Sequence, residues 1–354
     1  MTKHDFNDIH LYCGDAIEFY NDWEKPTVIV CDGPYGVNGF KGDLISHKGL
    51  DSWYEPHIKK WSEAATPLTT LWFWNTEVGW ATVHPILEKY GWTYTSCCIW
   101  DKGMSHVAGN TNTKTIRHLP VVTEVCVQYV KSPTFDVEGQ TMSMKEWLRH
   151  EWGRTGLPFS KTNEACGVKD AATRKYFTKC HLWYMPPADA FEKIVTYANA
   201  HGKEDGKPYF SVNGNKPITK EEWARMRSKF YCPMGVTNVW QEPQLRGSER
   251  LKINQKAIHL NQKPLSLIKR IIEITSDVGD VVWDPFAGLC TTAVASAELE
   301  RICYCAELNP DVYKIVYNRV KQAFTKIKTI SKNPRHSPRV SYRGIATIGG
   351  ITQL

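Results

Sequence analysis

Several features of membrane, fibrous and secreted chains are missing from this sequence. Its 354 residues include no run of 18 or more apolar residues and only 24 glycines and 19 prolines. This composition excludes a membrane-spanning helix, a collagen-like chain and a low-complexity chain. Charges are spread through the first 15 residues, so no secretory leader is expected. We expect a soluble, cytoplasmic, globular protein with two domains or one domain carrying an insertion.

The cysteine spacings typical of zinc and disulfide sites are also missing. The eleven cysteines are an odd number, never form C-x-x-C and lie mostly in apolar runs. Reduced thiols with a packing role are therefore the expected state, and no metal site is predicted.

Acidic residues are absent from the end of the chain. Residues 312–354 contain nine lysines or arginines and no aspartate or glutamate. Residues 141–179 and 216–263 are basic overall, whereas the first 135 residues are acidic. A polyanion such as nucleic acid would contact the middle and end of the chain. For the tail alone, a solvated segment is the simpler interpretation.

Strand and helix patterns alternate in the first third of the chain. The β-branched run at 26–31 is typical of a buried central strand. Further strand patterns lie at 9–13, 68–74, 93–100 and 121–130. A helical pattern at 78–89 separates two of them. This alternation predicts an α/β sheet with helices on its faces.

The pattern changes after about residue 132 and returns near residue 246. Short helical pieces with many Trp and Tyr fill the interval, and strand patterns resume at 281–284 and 302–307. We therefore predict four segments. They are the two halves of one α/β domain at 1–135 and 246–330, an inserted, mostly helical domain at 136–245, and a basic tail at 331–354.

Three motifs lie at strand or helix boundaries. Asp32-Gly-Pro-Tyr-Gly36 and Asp284-Pro-Phe-Ala-Gly-Leu-Cys-Thr-Thr292 each follow a predicted strand, and His259-Leu-Asn-Gln-Lys-Pro264 precedes a predicted helix. Open α/β sheets bind their ligands at the carboxyl ends of strands. Each motif alone is compatible with an ordinary turn, but three such turns on one chain favour a shared site.

These residues resemble the motifs of the amino-group DNA methyltransferases that use S-adenosylmethionine, in the permuted order with the catalytic motif first. The family's (D/N/S)-P-P-(Y/F/W) corresponds to Asp32–Tyr35, its D-P-F-x-G-S-G-T-T to Asp284–Thr292, and its H-x-x-Q-K-P to His259–Pro264. Leu11–Asp15 resembles L-x-x-G-D, and Ile99–Lys102 and Glu124 fall where later sheet motifs would. The resemblance covers residues 9–131 and 236–320. It implies a Rossmann-like, doubly wound sheet, an inserted target-recognition domain and a prokaryotic or phage source.

The resemblance implies a catalytic role for Asp32, Gly33, Pro34 and Tyr35. An exocyclic amine is a poor nucleophile because its lone pair is delocalised into the base. Asp32 and the Gly33 carbonyl could each accept one amine hydrogen and so aim the nitrogen at a sulfonium methyl. Pro34 would hold Gly33 extended, and Tyr35 would stack on a base rotated out of the duplex.

The resemblance also implies a set of residues that bind S-adenosylmethionine. Asp15 and Ala16 would lie by its adenine, Phe286 beside it, and Glu307 would accept its ribose hydroxyls. The full predicted set is Asp15, Ala16, Asp32, Asn261, Lys263, Asp284, Phe286, Gly288, Thr292 and Glu307. His259 as a helix cap, Lys263 as a solvated helix start, and Trp74 and Asn75 as either cavity lining or ordinary core remain open alternatives.

Two departures from the family pattern weaken the expectation. Gly33 replaces the first proline, and Leu289-Cys290 replaces Ser-Gly in the cofactor loop. The loss of that second glycine removes a point where backbone could approach a ligand closely.

The insert contains a helix, a glycine turn and a basic second helix at 161–175, a pattern typical of helix-turn-helix DNA readers, although a plain helical hairpin is the alternative. Double-stranded DNA is the predicted partner, with a cognate restriction endonuclease acting separately. The acidic Asp32 favours N6 of adenine as the target. N4 of cytosine, and a non-catalytic DNA-binding protein that retains a degenerate cofactor fold, are the alternatives.

Overall fold

The computed structural model describes residues 2–38, 43–104, 107, 114–204, 206–246, 250–253, 256–257 and 262–331. The strands are β1 Thr2–Phe6, β2 Ile9–Cys13, β3 Val28–Cys31, β4 Thr70–Asn75, β5 Trp92–Asp101, β6 Thr123–Lys131, β7 Thr134–Val137, β8 Gln140–Ser143, β9 Val239–Gln241, β10 Lys252–Ile253, β11 Lys256–Ala257, β12 Val281–Asp284 and β13 Ile302–Glu307. The helices are α1 Leu50–Ala64, α2 Glu77–Lys89, α3 Met144–Arg154, α4 Lys161–Cys166, α5 Ala171–Tyr176, α6 Ala188–His201, α7 Lys220–Ala224, α8 Leu265–Thr275, α9 Thr291–Glu298 and α10 Pro310–Ser331, with a 3₁₀ turn at Ala16–Glu18.

The main sheet is built from both ends of the chain. In the described residues its order is β1-β2-β13-β12-β3-β4-β6-β5-β9. The run from β2 to β4 is parallel, with Val282 of β12 opposite Val28 of β3. β4, β6 and β5 then pair antiparallel. The predicted α/β fold class is confirmed: the protein is mixed α/β with a large central sheet.

Strand β4 explains how the two faces of the sheet are covered. All six of its residues are buried, and successive side chains point to opposite faces. Leu71 and Phe73 pack in the core that includes residues of α1 and α2, whereas Trp72 and Trp74 pack in the core formed with α8. A strand buried on both faces is expected in a sheet with helices on both sides.

Helix α1 was absent from the elements predicted by pattern. Tyr54, Ile58 and Trp61 are fully buried at helical spacing on one face. An internal proline at position 56 and several charged residues obscure that spacing in the sequence. This helix is important for the site because it brings Trp53, Tyr54 and His57 next to Phe286.

The inserted segment has its own core. The β7–β8 hairpin and helices α3 to α7 surround a cluster that includes Trp147, Trp152, Phe191 and Trp223. The chain then returns to the main sheet before residue 245, because β9 pairs parallel with β5. A strand of three residues is too short to be read from periodicity, so the predicted insert of 136–245 included it.

No helix within the described ranges combines the length and the apolarity that a membrane crossing requires. The predicted basic tail lies outside the described residues from position 332 onward.

Candidate active site

A cavity of about 350 Å³ lies at the carboxyl ends of four neighbouring parallel strands, β2, β13, β12 and β3. Motifs far apart in sequence meet there because parallel strands end at the same edge of a sheet. Of the predicted site residues, those that line the cavity are Asp15, Ala16, Asp32, Gly33, Pro34, Tyr35, Lys263, Asp284, Phe286, Gly288, Thr292 and Glu307. Asn261 and His259 lie outside the described residues.

Asp32 follows β3 and is held by two donors on one of its oxygens. Lys263 Nζ lies 2.8 Å from Asp32 Oδ1, and the Tyr35 hydroxyl donates to the same oxygen at 2.9 Å. Lys263 is 3% exposed, whereas the Asp32 side chain keeps 27% of its surface accessible. The carboxylate is therefore both anchored and reachable from the cavity.

Glu124 and Lys102 extend this network and were not among the predicted site residues. Lys263 Nζ lies 3.3 Å from Glu124 Oε2, and Lys102 pairs with Glu124 Oε1. Burial raises the pKa of Glu124, but the two ammonium groups lower it more, so its pKa lies below the ordinary value. Burial lowers the pKa of Lys263, and the Asp32 and Glu124 carboxylates more than reverse this. The buried charges are thus mutually compensated.

The Asp32–Tyr35 loop is held by backbone contacts. The Asp43 carboxylate accepts hydrogen bonds from the amides of Tyr35 (3.0 Å), Gly36 (2.8 Å) and Val37 (3.1 Å). The Tyr54 hydroxyl and the Asn75 amide both donate to the Pro34 carbonyl, at 2.9 and 3.1 Å. Asn75 therefore supports the loop from behind and does not line the cavity.

Gly33, the first departure from the family pattern, has a steric explanation. A Cβ at this position would lie 2.6 Å from Tyr54 Oη and 2.8 Å from Phe286 Cδ2. Both distances are shorter than van der Waals contact allows. Because α1 and the Phe286 loop approach so closely, only glycine fits without rearrangement.

Tyr35 occupies a position that sequence alone did not indicate. Its ring is 6% exposed, and its hydroxyl contacts Asp32, Glu124 and Lys263. The Lys263 ammonium lies 5.1 Å from the ring centroid. Stacking of Tyr35 on a target base stays a prediction.

The cofactor loop begins at the end of β12 with Asp284, an acid that has no cationic partner in the described part of the chain. Burial raises the pKa of Asp284 to about 7, although the Thr292 hydroxyl and the Phe286 amide lower it. Burial likewise raises the pKa of Glu307, at the end of β13, to about 7. Among the described residues neither carboxylate forms an ion pair within 4.0 Å. Both acids would be stabilised in ionised form by a ligand that brings donors or positive charge.

Phe286 packs into an aromatic cluster at the cavity wall. Its ring centroid lies 5.1 Å from that of His57 and 5.4 Å from that of Trp53, which also lines the cavity. Burial lowers the pKa of His57 to about 4, so the ring is neutral at physiological pH.

The second departure, Leu289-Cys290, changes the loop less than its residue types suggest. Cys290 has φ 56°, the left-handed conformation that glycine adopts most readily. Its side chain is fully buried in a cluster with Cys303 and Cys305, and Leu289 packs in the same cluster. The side chains of Leu289 and Cys290 are thus packed in the core, and the backbone at Cys290 has the conformation that glycine adopts most readily.

The basic pattern in the insert forms two short helices joined at a glycine. α4 ends at Cys166, Gly167 caps it with φ 66°, and α5 begins at Ala171. Arg174, Lys175 and Lys179 are exposed. The two predicted helices and the glycine turn between them are present, and the role of this segment as a DNA reader stays a prediction.

One cavity thus joins the Asp32–Tyr35 loop and the D-P-F-x-G loop, as expected of a methyltransferase that binds S-adenosylmethionine. More narrowly, the chain belongs to the DNA methylase family that acts on N6 or N4 amino groups, whose model matches residues 27–318. The predicted family is therefore confirmed, and S-adenosylmethionine is the methyl donor in this family.

Two curated relatives match parts of the chain. The type II methyltransferase M.HindIII of Haemophilus influenzae is 39% identical over 71 residues, which is 20% of this chain and 23% of the relative. The DNA adenine methyltransferase YhdJ of Escherichia coli is 36% identical over 86 residues, which is 24% of this chain and 28% of the relative. The matched segments thus span about a quarter of each relative.

Solved structures resemble the chain over most of its length at low identity. The M1.HpyAVI complex with S-adenosylmethionine is 18% identical, with a TM-score of 0.45 over 88% of this chain and 99% of that one. The cytosine-N4-specific PvuII DNA methyltransferase is 11% identical, with a TM-score of 0.49 over 91% and 93%.

Proposed function

We propose that this protein transfers the methyl group of S-adenosylmethionine to the exocyclic N6 of adenine in duplex DNA after base flipping. The observation that carries the proposal is the cavity shared by the anchored, accessible Asp32 and the Asp284–Thr292 loop. The acidic residue at position 32 and the adenine-specific name of one relative support adenine over cytosine.

The catalytic task of this chain is to localise the lone pair of the amine. Asp32 accepts a hydrogen bond from one amine hydrogen and the Gly33 carbonyl accepts one from the other, which directs the lone pair toward the cofactor side of the cavity. S-adenosylmethionine supplies an electrophilic methyl group on a positively charged sulfur. Asp32 stabilises the positive charge that develops on nitrogen before that nitrogen loses a proton.

The cofactor side fits a ligand with hydroxyl groups and positive charge. Among the residues that the structure describes, Asp284 and Glu307 have no cationic partner, and Thr292 and Gly288 line the same cavity. We assign the ribose hydroxyls to Glu307, the adenine to Asp15 and Ala16, and a flanking apolar contact to Phe286. Asn261 is a further proposed contact of the cofactor, whereas Lys263, which the sequence assigned to the cofactor, contacts Asp32, Tyr35 and Glu124.

The proposal also assigns a function to each segment of the chain. Residues 1–135 and 246–330 form the catalytic and cofactor halves, and the insert at 136–245 reads the DNA sequence, with Arg174, Lys175 and Lys179 exposed for phosphate or base contacts. A restriction endonuclease that cuts the same sequence is the proposed functional partner.

Expression in a methylation-free host, followed by modification-sensitive sequencing of the host DNA, tests the function. N6-methyladenine at one short sequence, absent with an Asp32→Ala control, is the expected result. N4-methylcytosine would assign the alternative base. Unmodified DNA, together with no heat on titration with S-adenosylmethionine, would favour the non-catalytic DNA-binding alternative.

A further inference from the structure

Lys263 is a buried cation whose contacts lie on the catalytic side of the cavity. Its ammonium contacts Asp32 Oδ1 at 2.8 Å, the Tyr35 hydroxyl at 2.9 Å and Glu124 Oε2 at 3.3 Å. It is 231 residues from Asp32 in sequence and 3% exposed. A buried ammonium with two carboxylates in reach is strongly held.

The two carboxylate oxygens of Asp32 have different hydrogen-bond partners. Both donors, Lys263 and Tyr35, bind Oδ1. Within the described part of the chain no hydrogen bond to Oδ2 is found. Glu124 holds Lys263 in place because its other oxygen is paired with Lys102. The chain of contacts thus runs from Lys102 through Glu124 and Lys263 to one oxygen of Asp32.

We propose that Lys263 is a positioning residue for methyl transfer, which grips Asp32 Oδ1 and so presents Oδ2 to the amine of the target base. This inference rests on the proposed function of Asp32. It differs from the cofactor contact that sequence assigned to Lys263, since all three polar contacts are to residues of the catalytic network.

Several other titratable groups lie near Asp32. Tyr35 and Lys263 contact it, and Asp284 faces it from the neighbouring strand. The remaining titratable groups near this network are Cys31, Tyr54, Lys102, Glu124 and Cys126. Of these groups only Lys263 and Lys102 are cations, so removal of Lys263 leaves Asp32 beside Asp284 and Glu124 without a cation in contact.

Lys263→Met, Lys263→Gln and Lys263→Arg test the proposal through the pH dependence of single-turnover methyl transfer. At saturating cofactor and DNA, we expect Lys263→Met to lower the rate of methyl transfer at neutral pH by about 10²-fold. We also expect the acidic limb of its pH–rate profile to move to higher pH by about one unit or more. Lys263→Gln keeps a donor without the charge, so its limb also moves. Lys263→Arg keeps the charge and restores the wild-type limb.

The matched control is Lys269→Met on α8. Lys269 pairs with Glu298 and does not line the cavity, so its pH profile should equal that of the wild type. Cofactor affinity measured by calorimetry should stay within about threefold in every variant. An unmoved acidic limb in Lys263→Gln would overturn the proposal. Weaker cofactor binding with an unmoved limb would restore the cofactor role.

A second readout separates this inference from the proposed function. If the wild type transfers no methyl group, the proposed function fails. The network can still be tested by NMR, through a pH titration of the ¹³C signal of the Asp32 carboxyl group, which is assigned by its absence in Asp32→Asn. Titration of Asp32 at higher pH in Lys263→Gln than in the wild type supports the positioning role. Equal titration overturns it. If Lys263→Met does not fold, the Gln and Arg variants carry both readouts.

Discussion

Two neighbouring strands of the sheet end in acids with opposite electrostatic surroundings. Asp32, after β3, has an ammonium group 2.8 Å away. Asp284, at the end of the adjacent β12, has no ion pair among the described residues, and burial raises its pKa to about 7. On the catalytic side, Asp32 thus has a cationic partner before any ligand binds. On the cofactor side, the ligand would have to supply the partner of Asp284.

This difference determines how each side responds to pH. An acid with a raised pKa binds its proton more tightly, so Asp284 and Glu307 are each about half protonated near pH 7. A cationic ligand prefers the ionised acids. Cofactor binding should therefore release protons and strengthen as pH rises through 7.

Removal of the compensated acid gives the largest expected effect. Asp32→Ala should lower methyl transfer at least about 10³-fold because the amine loses an acceptor in the transition state. Cofactor affinity should change by less than about threefold, since Asp284 and Glu307 remain. Tritiated-methyl transfer and calorimetry measure the two quantities. A parallel loss of cofactor binding would contradict the separation of the two sides.

The uncompensated acids should make cofactor affinity depend on pH. Between about pH 8 and 6, the affinity for S-adenosylmethionine should fall about tenfold for each acid that must ionise. Asp284→Asn removes one of these acids, so this variant should bind more weakly at pH 8 and show a shallower dependence. Calorimetry across this range measures the slope. An equally steep dependence in Asp284→Asn would exclude Asp284 as its source.

Gly33→Ala tests how closely the loop after β3 approaches Tyr54 and the loop that carries Phe286. The new methyl group would collide with Tyr54 and Phe286 and should destabilise the fold by about 1–3 kcal/mol. Denaturant unfolding measures the loss. Gly153→Ala is the matched control, because Gly153 lies in the last turn of α3 and an added Cβ would have no packing neighbour within 4 Å beyond the backbone of that helix. That change should stabilise by about 0.5–1 kcal/mol.

The smallest expected effect comes from Thr292→Val. The Thr292 hydroxyl lowers the pKa of Asp284, so its removal should raise that pKa and move the midpoint of the cofactor-affinity profile upward. A shift of about 0.5 pH unit or less is expected, with the same calorimetric measurement. A downward shift would show that Thr292 does not donate to the ionised acid.

Strands and helices with a clear periodic pattern of apolar residues were predicted from the sequence with little error in their bounds. The strand at Ile9–Cys13 has the predicted bounds, and the helix predicted at 78–89 starts one residue earlier, at Glu77. Helix α1 and strands β1 and β9 were missed, because an internal proline, exposed residues and short length weaken the periodic pattern.

The sequence by itself determined the fold class and indicated half of the residues that line the cavity, because buried strands and turn motifs are local properties of the chain. Only the tertiary structure decided which charges meet. The pairing of Asp32 with Lys263, the part of Glu124 and Lys102, and the isolation of Asp284 depend on side chains brought together by strand order. The physical reason is that ion pairing and burial depend on distances of a few ångströms between residues far apart in sequence.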